Sequence, residues 1–162
     1  MRTSGQLQIS LPSDREILFV REFRAPRQLV WDCHTKPELL KRWVFGPDGW
    51  SMPHCEVDLR VGGRYRYVWK HTRGTEMGMG GVFKEIAAPS RLVATELFDE
   101  DWTGGEVIAT HEFTEKHGIT TLRLVAVYSS KEARDGALKS GMTDGMEMSY
   151  ARVDAMVAEG KT

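Results

Sequence analysis

The hydrophobic period of the sequence switches to two at His54 and changes again just beyond Tyr128, and that second change dictates most of the architecture. Upstream, six consecutive segments read as strands, the first two by plain alternation of apolar and polar residues and the third glycine-rich: His54 to Arg60, Arg64 to His71, Glu76 to Ile86, Arg91 to Phe98, Glu106 to Glu115 and Ile119 to Tyr128. Alternation with period two marks strands with two unlike faces. The breaks between them are a few residues each, too short for a parallel crossover, so the strands pair antiparallel. An earlier segment, Arg15 to Arg24, sets Ile17, Phe19 and Phe23 on one face and makes a seventh strand. Downstream, Leu138, Met142, Met146, Ser149 or Tyr150, Val153 and Val157 recur at helical spacing within Lys131 to Glu159. An amphipathic helix of that length must bury its stripe against the sheet. Gly136, Gly141 and Gly145 cost helix propensity and move its firm start towards Met142.

The connections add detail. Gly62-Gly63 is expected to form a two-residue hairpin turn with both glycines at positive φ. Gly78, Gly80 and Gly81 permit sharp bending or close approach of another backbone. After the first strand, Pro26 suits the opening turn of a short helix over Gln28 to His34. Thr35-Lys-Pro-Glu38 has capping-box spacing and opens a second short helix, Glu38 to Trp43. Phe45 to Trp50 is a loop by its Gly and Pro content. The expected class is α+β: a curved seven-stranded antiparallel sheet around a long C-terminal helix, with two short helices after the first strand. Residues 1–14 are polar, without the basic start and apolar run of a secretory signal, and read as a mobile tail ahead of one domain over 15–162.

Composition narrows the function classes. The 162 residues suffice for one core. The 22 basic and 23 acidic residues balance to −1, which leaves no electrostatic footprint for nucleic acid or anionic membrane. No apolar stretch is long enough to span a bilayer. Two cysteines make no disulfide framework, so a reducing cytoplasm is the simplest home. Eight methionines and five tryptophans suit a mouldable pocket, or equally an ordinary core.

Several strings carry a family resemblance. Arg21-Glu-Phe-Arg-Ala-Pro26 leads into Val30-Trp31, and Pro37-Glu-Leu-Leu-Lys-Arg-Trp43 is followed by Gly46-Pro47. Asp58-Leu-Arg-Val-Gly-Gly63 precedes an aromatic strand, and Gly81-Val-Phe-Lys-Glu-Ile86 precedes Pro89-Ser-Arg-Leu92. Together these resemble the family named for homology to the ATPase activator of the ninety-kilodalton heat-shock protein, within the START-like helix-grip superfamily. The resemblance runs from about Arg15 to Val157. It implies a sheet too curved for its helix to fill, leaving a cavity open near the short helices. Members include binders of apolar small molecules, cyclases, resistance proteins and co-chaperone modules, so fold does not fix function. Val44-Phe45 stands where a second tryptophan often follows the first, which bears on the pocket mouth.

Trp43, Tyr67, Trp69, Met79, His111, Phe113, Met142 and Met146 are the expected pocket residues, being large side chains on elements that should face one another. Each could equally be plain core. Cys33-His34 and His54-Cys55 do not make a metal site, because adjacent residues diverge on helix and strand alike. His54, Glu56 and Asp58 share a strand face with Arg60 and read as a solvated outer surface. No catalytic constellation and no cofactor motif stand out. The expected function is binding of an apolar or amphipathic small molecule between sheet and helix. A cyclase- or hydrolase-like enzyme in the same cavity, and a chaperone-modulating interaction module, are the alternatives. The aromatic loop from Phe45 to Trp50 allows a homodimer without showing one.

Overall fold

A computed structural model describes residues 6–101 and 104–159. Among them are eight strands: β1 (Gln8–Ser10), β2 (Glu16–Phe23), β3 (Trp50–Val57), β4 (Arg64–His71), β5 (Glu76–Ala87), β6 (Arg91–Phe98), β7 (Val107–Lys116) and β8 (Ile119–Val127). They form one antiparallel sheet in the order β1-β2-β8-β7-β6-β5-β4-β3. Helices α1 (Arg27–Thr35) and α2 (Pro37–Leu40) follow β2, and α3 (Lys131–Leu138) and α4 (Met142–Ala158) close the chain. The alternation works as expected along β2, where Ile17, Phe19, Arg21 and Phe23 are all buried. Tyr150, Val153 and Met156 of α4 are buried as well, facing the concave side of the sheet.

Strand count is the first correction, eight instead of seven. Gln8–Ser10 pairs with Leu18 to Val20 as an edge strand, in a stretch expected to be tail. The pairing covers backbone groups that β2 would otherwise leave open. Leu7 strengthens it by donating its backbone N–H to Glu147 of α4 at 2.7 Å. Hydrophobicity gave no hint, since Ile9 remains exposed. Residues 1–5 of the expected tail, and 160–162 at the other end, lie outside the described residues.

The Gly62-Gly63 hairpin is the second correction. The strand ends at Val57, and a six-residue loop, 58–63, leads to β4. Gly62 has φ +84°, but Gly63 does not take positive φ. Gly63 is needed for space, because a Cβ there would collide with the carbonyl oxygen of Asp58. Leu59 and Val61 prolong the alternation in sequence, yet both are exposed. The loop bonds instead to β5, through Gly62 N–H to Phe83 O at 2.8 Å and Phe83 N–H to Gly63 O at 2.9 Å. At its other end β3 starts at Trp50, four residues before His54, with a register shift between Ser51 and His54 around Pro53.

Two helix ends also differ. Thr35 does not cap α2; it ends α1, donating its hydroxyl to Trp31 O at 3.0 Å, and Lys36 holds the extended N-cap position. The long C-terminal segment is two helices, broken at Gly141 with φ +83°. Ser130 caps the first, accepting from Ala133 N–H at 3.0 Å.

Candidate functional site

A cavity of about 550 Å³ lies between the concave face of the sheet and α4. Its wall comes from Phe19 of β2, from alternate residues of β4 to β8, from Trp43, Val44, Gly46, Pro47 and Trp50, and from Met142, Gly145, Met146, Met148, Ser149 and Tyr150. Met77 and Met148 line the space while remaining exposed, so they mark its mouth. Seven of the eight expected residues line it: Trp43, Tyr67, Trp69, Met79, His111, Met142 and Met146. Phe113 does not. It lies one pleat further along β7, 1% exposed, stacked on His111 at 6.2 Å and edge-on to Trp31 of α1 at 5.7 Å.

Local chemistry holds the aromatic wall rigid. Trp69 donates its indole N–H to Val44 O at 2.6 Å, and Trp43 donates to Cys33 O at 2.8 Å, so both leave ring surface for the cavity. The Tyr65 hydroxyl reaches across β5 to Thr95 O of β6, at 2.6 Å. That crossing explains Gly81. A Cβ there would collide with Thr95 O and stand 2.9 Å from the Tyr65 ring. The mouth loop is pinned by Arg152 of α4, which donates to Gly46 O at 2.8 Å and lies 3.8 Å over the Phe45 ring. Phe45, of the Val44-Phe45 pair that stands where the family often has a second tryptophan, thus serves as a cation–π seat.

Polar groups in the cavity are few and unusually placed. Glu96 of β6 lines it in phase with Leu92, Ala94 and Phe98. Burial in these apolar surroundings pushes its carboxyl up to about 7. His34 of α1 donates Nδ1–H to Val30 O at 2.8 Å, which leaves Nε2 as an acceptor. That Nε2 and Nδ1 of His111 have no hydrogen-bond partner. The two rings are 5.7 Å apart. Burial lowers His34 to about 4; burial and then the neighbouring His34 lower His111 to about 3. Both imidazoles are therefore neutral at ordinary pH. Tyr128 is pushed up to about 12, first by burial and then by Glu96, and Tyr65, Tyr67 and Tyr150 are shifted upward by the same two causes among others.

Sequence reasoning missed Glu96, His34 and the three tyrosines 65, 128 and 150. Glu96 was findable, since it is the charged residue on an otherwise apolar strand face. His34 was hidden because its α1 neighbours gave no reason to aim it at β7, six elements later in the chain. On the outer face, His54 and Glu56 meet at 3.0 Å and Arg60 and Asp58 at 2.9 Å, all exposed. Among the described residues no group of three His, Cys, Asp or Glu side chains could hold a metal ion.

A curved antiparallel sheet closed by a C-terminal helix, with an apolar cavity between them, defines the START-like helix-grip class. Within it, the chain belongs to the family described as "Activator of Hsp90 ATPase homolog 1-like protein", which residues 24–158 match. A crystal structure of a Rhodobacter sphaeroides protein is 35% identical, covers 95% of this chain and 99% of its own, and superposes with a TM-score of 0.90. A Nitrosomonas europaea protein is 26% identical over 94% of this chain and 99% of its own, with a TM-score of 0.81. An HSP90 activator from Plasmodium falciparum, 22% identical over 89% of this chain and 96% of its own, shares the fold with a TM-score of 0.62. Among curated proteins, none matches the sequence.

Proposed function

We propose that this protein binds an apolar or amphipathic small molecule in the cavity between sheet and α4. One observation carries the reading: the fold leaves about 550 Å³ unfilled, walled by hydrogen-bonded aromatic rings and unbranched, adaptable methionines. A ligand hiding about 300 Å² of apolar surface there would gain roughly 7 kcal/mol before ordering costs. Glu96, His34 and His111 are the polar groups that would fix its orientation. Both cysteines are free and buried, and burial pushes their thiols up to about 11, which suits a reducing cytoplasm.

Native mass spectrometry of the protein purified from its own cells tests this directly. A small molecule retained at one per chain is expected. An empty protein that also ignores apolar probes would contradict the proposal.

Two other readings each have an observation behind them. A carboxyl titrating near 7 suits acid–base work on a bound substrate, and recovery of a chemically altered ligand would favour that. The family description favours stimulation of Hsp90, for which Leu59 and Val61 of the exposed 58–63 loop offer apolar contacts. Increased Hsp90 ATPase turnover on adding this protein would favour that instead.

A further inference from the structure

The one charged side chain that faces the cavity is acidic, and the neutral polar groups around it, the hydroxyls of Tyr67, Tyr128, Ser149 and Tyr150 and the His111 imidazole, can accept as well as donate. Glu96 is its one acidic side chain and, among the described residues, makes no hydrogen bond or ion pair. His34 offers no donor, because its Nδ1–H is committed to Val30 O and its Nε2 is a buried acceptor. Trp43, Tyr67 and Trp69 contribute aromatic rings, whose faces are negative. No lysine or arginine lines the space among the described residues. An anion would be repelled here, and a plain hydrocarbon would leave Glu96 without a partner at a cost of desolvation. An apolar cation satisfies both demands, through a charge-assisted hydrogen bond and through the ring faces.

We propose that the ligand is an apolar amine bound in its protonated form, its ammonium donating to the Glu96 carboxylate while its hydrocarbon body lies against the aromatic wall of β4. This rests on the reading that the cavity binds a small molecule, and names that molecule's class. Binding requires the ionised carboxylate, so below neutral pH the site must first release a proton. The titratable groups sharing the cavity are Tyr65 and Tyr67 of β4, His111 of β7, Tyr128 after β8, His34 of α1 and Tyr150 of α4. The tyrosines stay protonated and the histidines neutral between pH 6 and 8, which leaves Glu96 as the group that titrates.

Isothermal titration with three probes of one ring system tests the proposal: naphthylmethylamine, naphthalenemethanol and naphthoate. At pH 8 the amine should bind at least about tenfold tighter than the alcohol, and naphthoate weakest. Glu96→Gln should bring amine and alcohol to within about twofold of one another. In the unaltered protein, amine affinity should fall by about tenfold from pH 8 to pH 6 as the competent carboxylate fraction shrinks, with the alcohol little changed. That pH series needs no variant to fold. Alcohol binding as tightly as amine, or a preference for naphthoate, would overturn the amine assignment and leave cavity binding standing. If none of the three binds, both this inference and the binding function fail together.

Discussion

The two sides of the concave sheet are built from similar alternating strands, yet one is sealed and the other open. On the sealed side, Ile17 and Phe23 of β2, Leu122 of β8 and Val153 of α4 are at most 1% exposed. Arg21 lies among them, also 1% exposed, bound to Asp154 at 2.8 Å and Glu147 at 3.3 Å. Its guanidinium lies 4.8 Å over Phe23, whose ring meets Tyr150 edge-on at 5.5 Å. On the open side, the rings of Tyr67 and Trp69 and the carboxyl of Glu96 face the cavity. The difference lies largely in α4. Its C-terminal half brings Tyr150, Val153 and Met156 to the core, while its first two turns bring Gly145, Ser149 and unbranched methionines. One straight helix can fill one flank of a curved sheet, and the flank it leaves is where a ligand can be accommodated.

The contrast breaks most visibly at Arg21. Arg21→Ala removes the cation that fastens α4 to β2 and strands two acidic partners beside a vacated space. The expected loss is about 3 kcal/mol in urea unfolding, the low end for a broken buried pair because both carboxylates are partly exposed. A loss below about 1 kcal/mol, the usual value of a surface pair, would mean the sealed side is held by apolar packing alone.

Glu96 sharpens the contrast from the other side. The folded protein keeps a proton up to about pH 7 that the unfolded chain gives up near the ordinary value of 4.5. Stability should therefore fall as pH rises from about 4.5 to about 7, and stay reduced above. His34 and His111 act oppositely, since they stay neutral while the unfolded chain protonates below 6.5; their contribution is lost as pH falls towards 4 and 3. Glu96→Gln isolates the first effect, because the histidines are common to both proteins. The variant should match the parent at pH 4 and exceed it by about 2 kcal/mol at pH 8. Equal stability at both pH values would mean that water reaches Glu96 freely.

Much of the sealed side was legible in the sequence, because burial on one face of β2 and α4 leaves the periodic signal of Ile17, Phe23 and Val153. Even there nothing in the sequence marks Arg21 as buried, since its partners Glu147 and Asp154 lie over a hundred residues away in the chain. The aromatic wall was legible through Tyr67 and Trp69. What alternation could not say is which inward side chains meet another side chain and which meet empty space. Phe113 and His111 share a face of β7, yet α1 covers the first and the second reaches the cavity. The 58–63 loop misled for a related reason: alternation continued through Leu59 and Val61 after the backbone had left its partner strand.

Met146 offers the smallest change in stability and the most direct test of an unfilled flank. It lies on the first turns of α4, against the cavity and not inside the sealed core. Overpacking a dense core costs typically about 1–3 kcal/mol, whereas a side chain growing into free space adds contacts without collision. Met146→Trp should therefore unfold within about 0.5 kcal/mol of the parent, or above it, and lose binding of the neutral apolar dye Nile red. A stability loss of about 2 kcal/mol or more, or dye binding retained at full affinity in a stable variant, would contradict an open flank that receives the ligand.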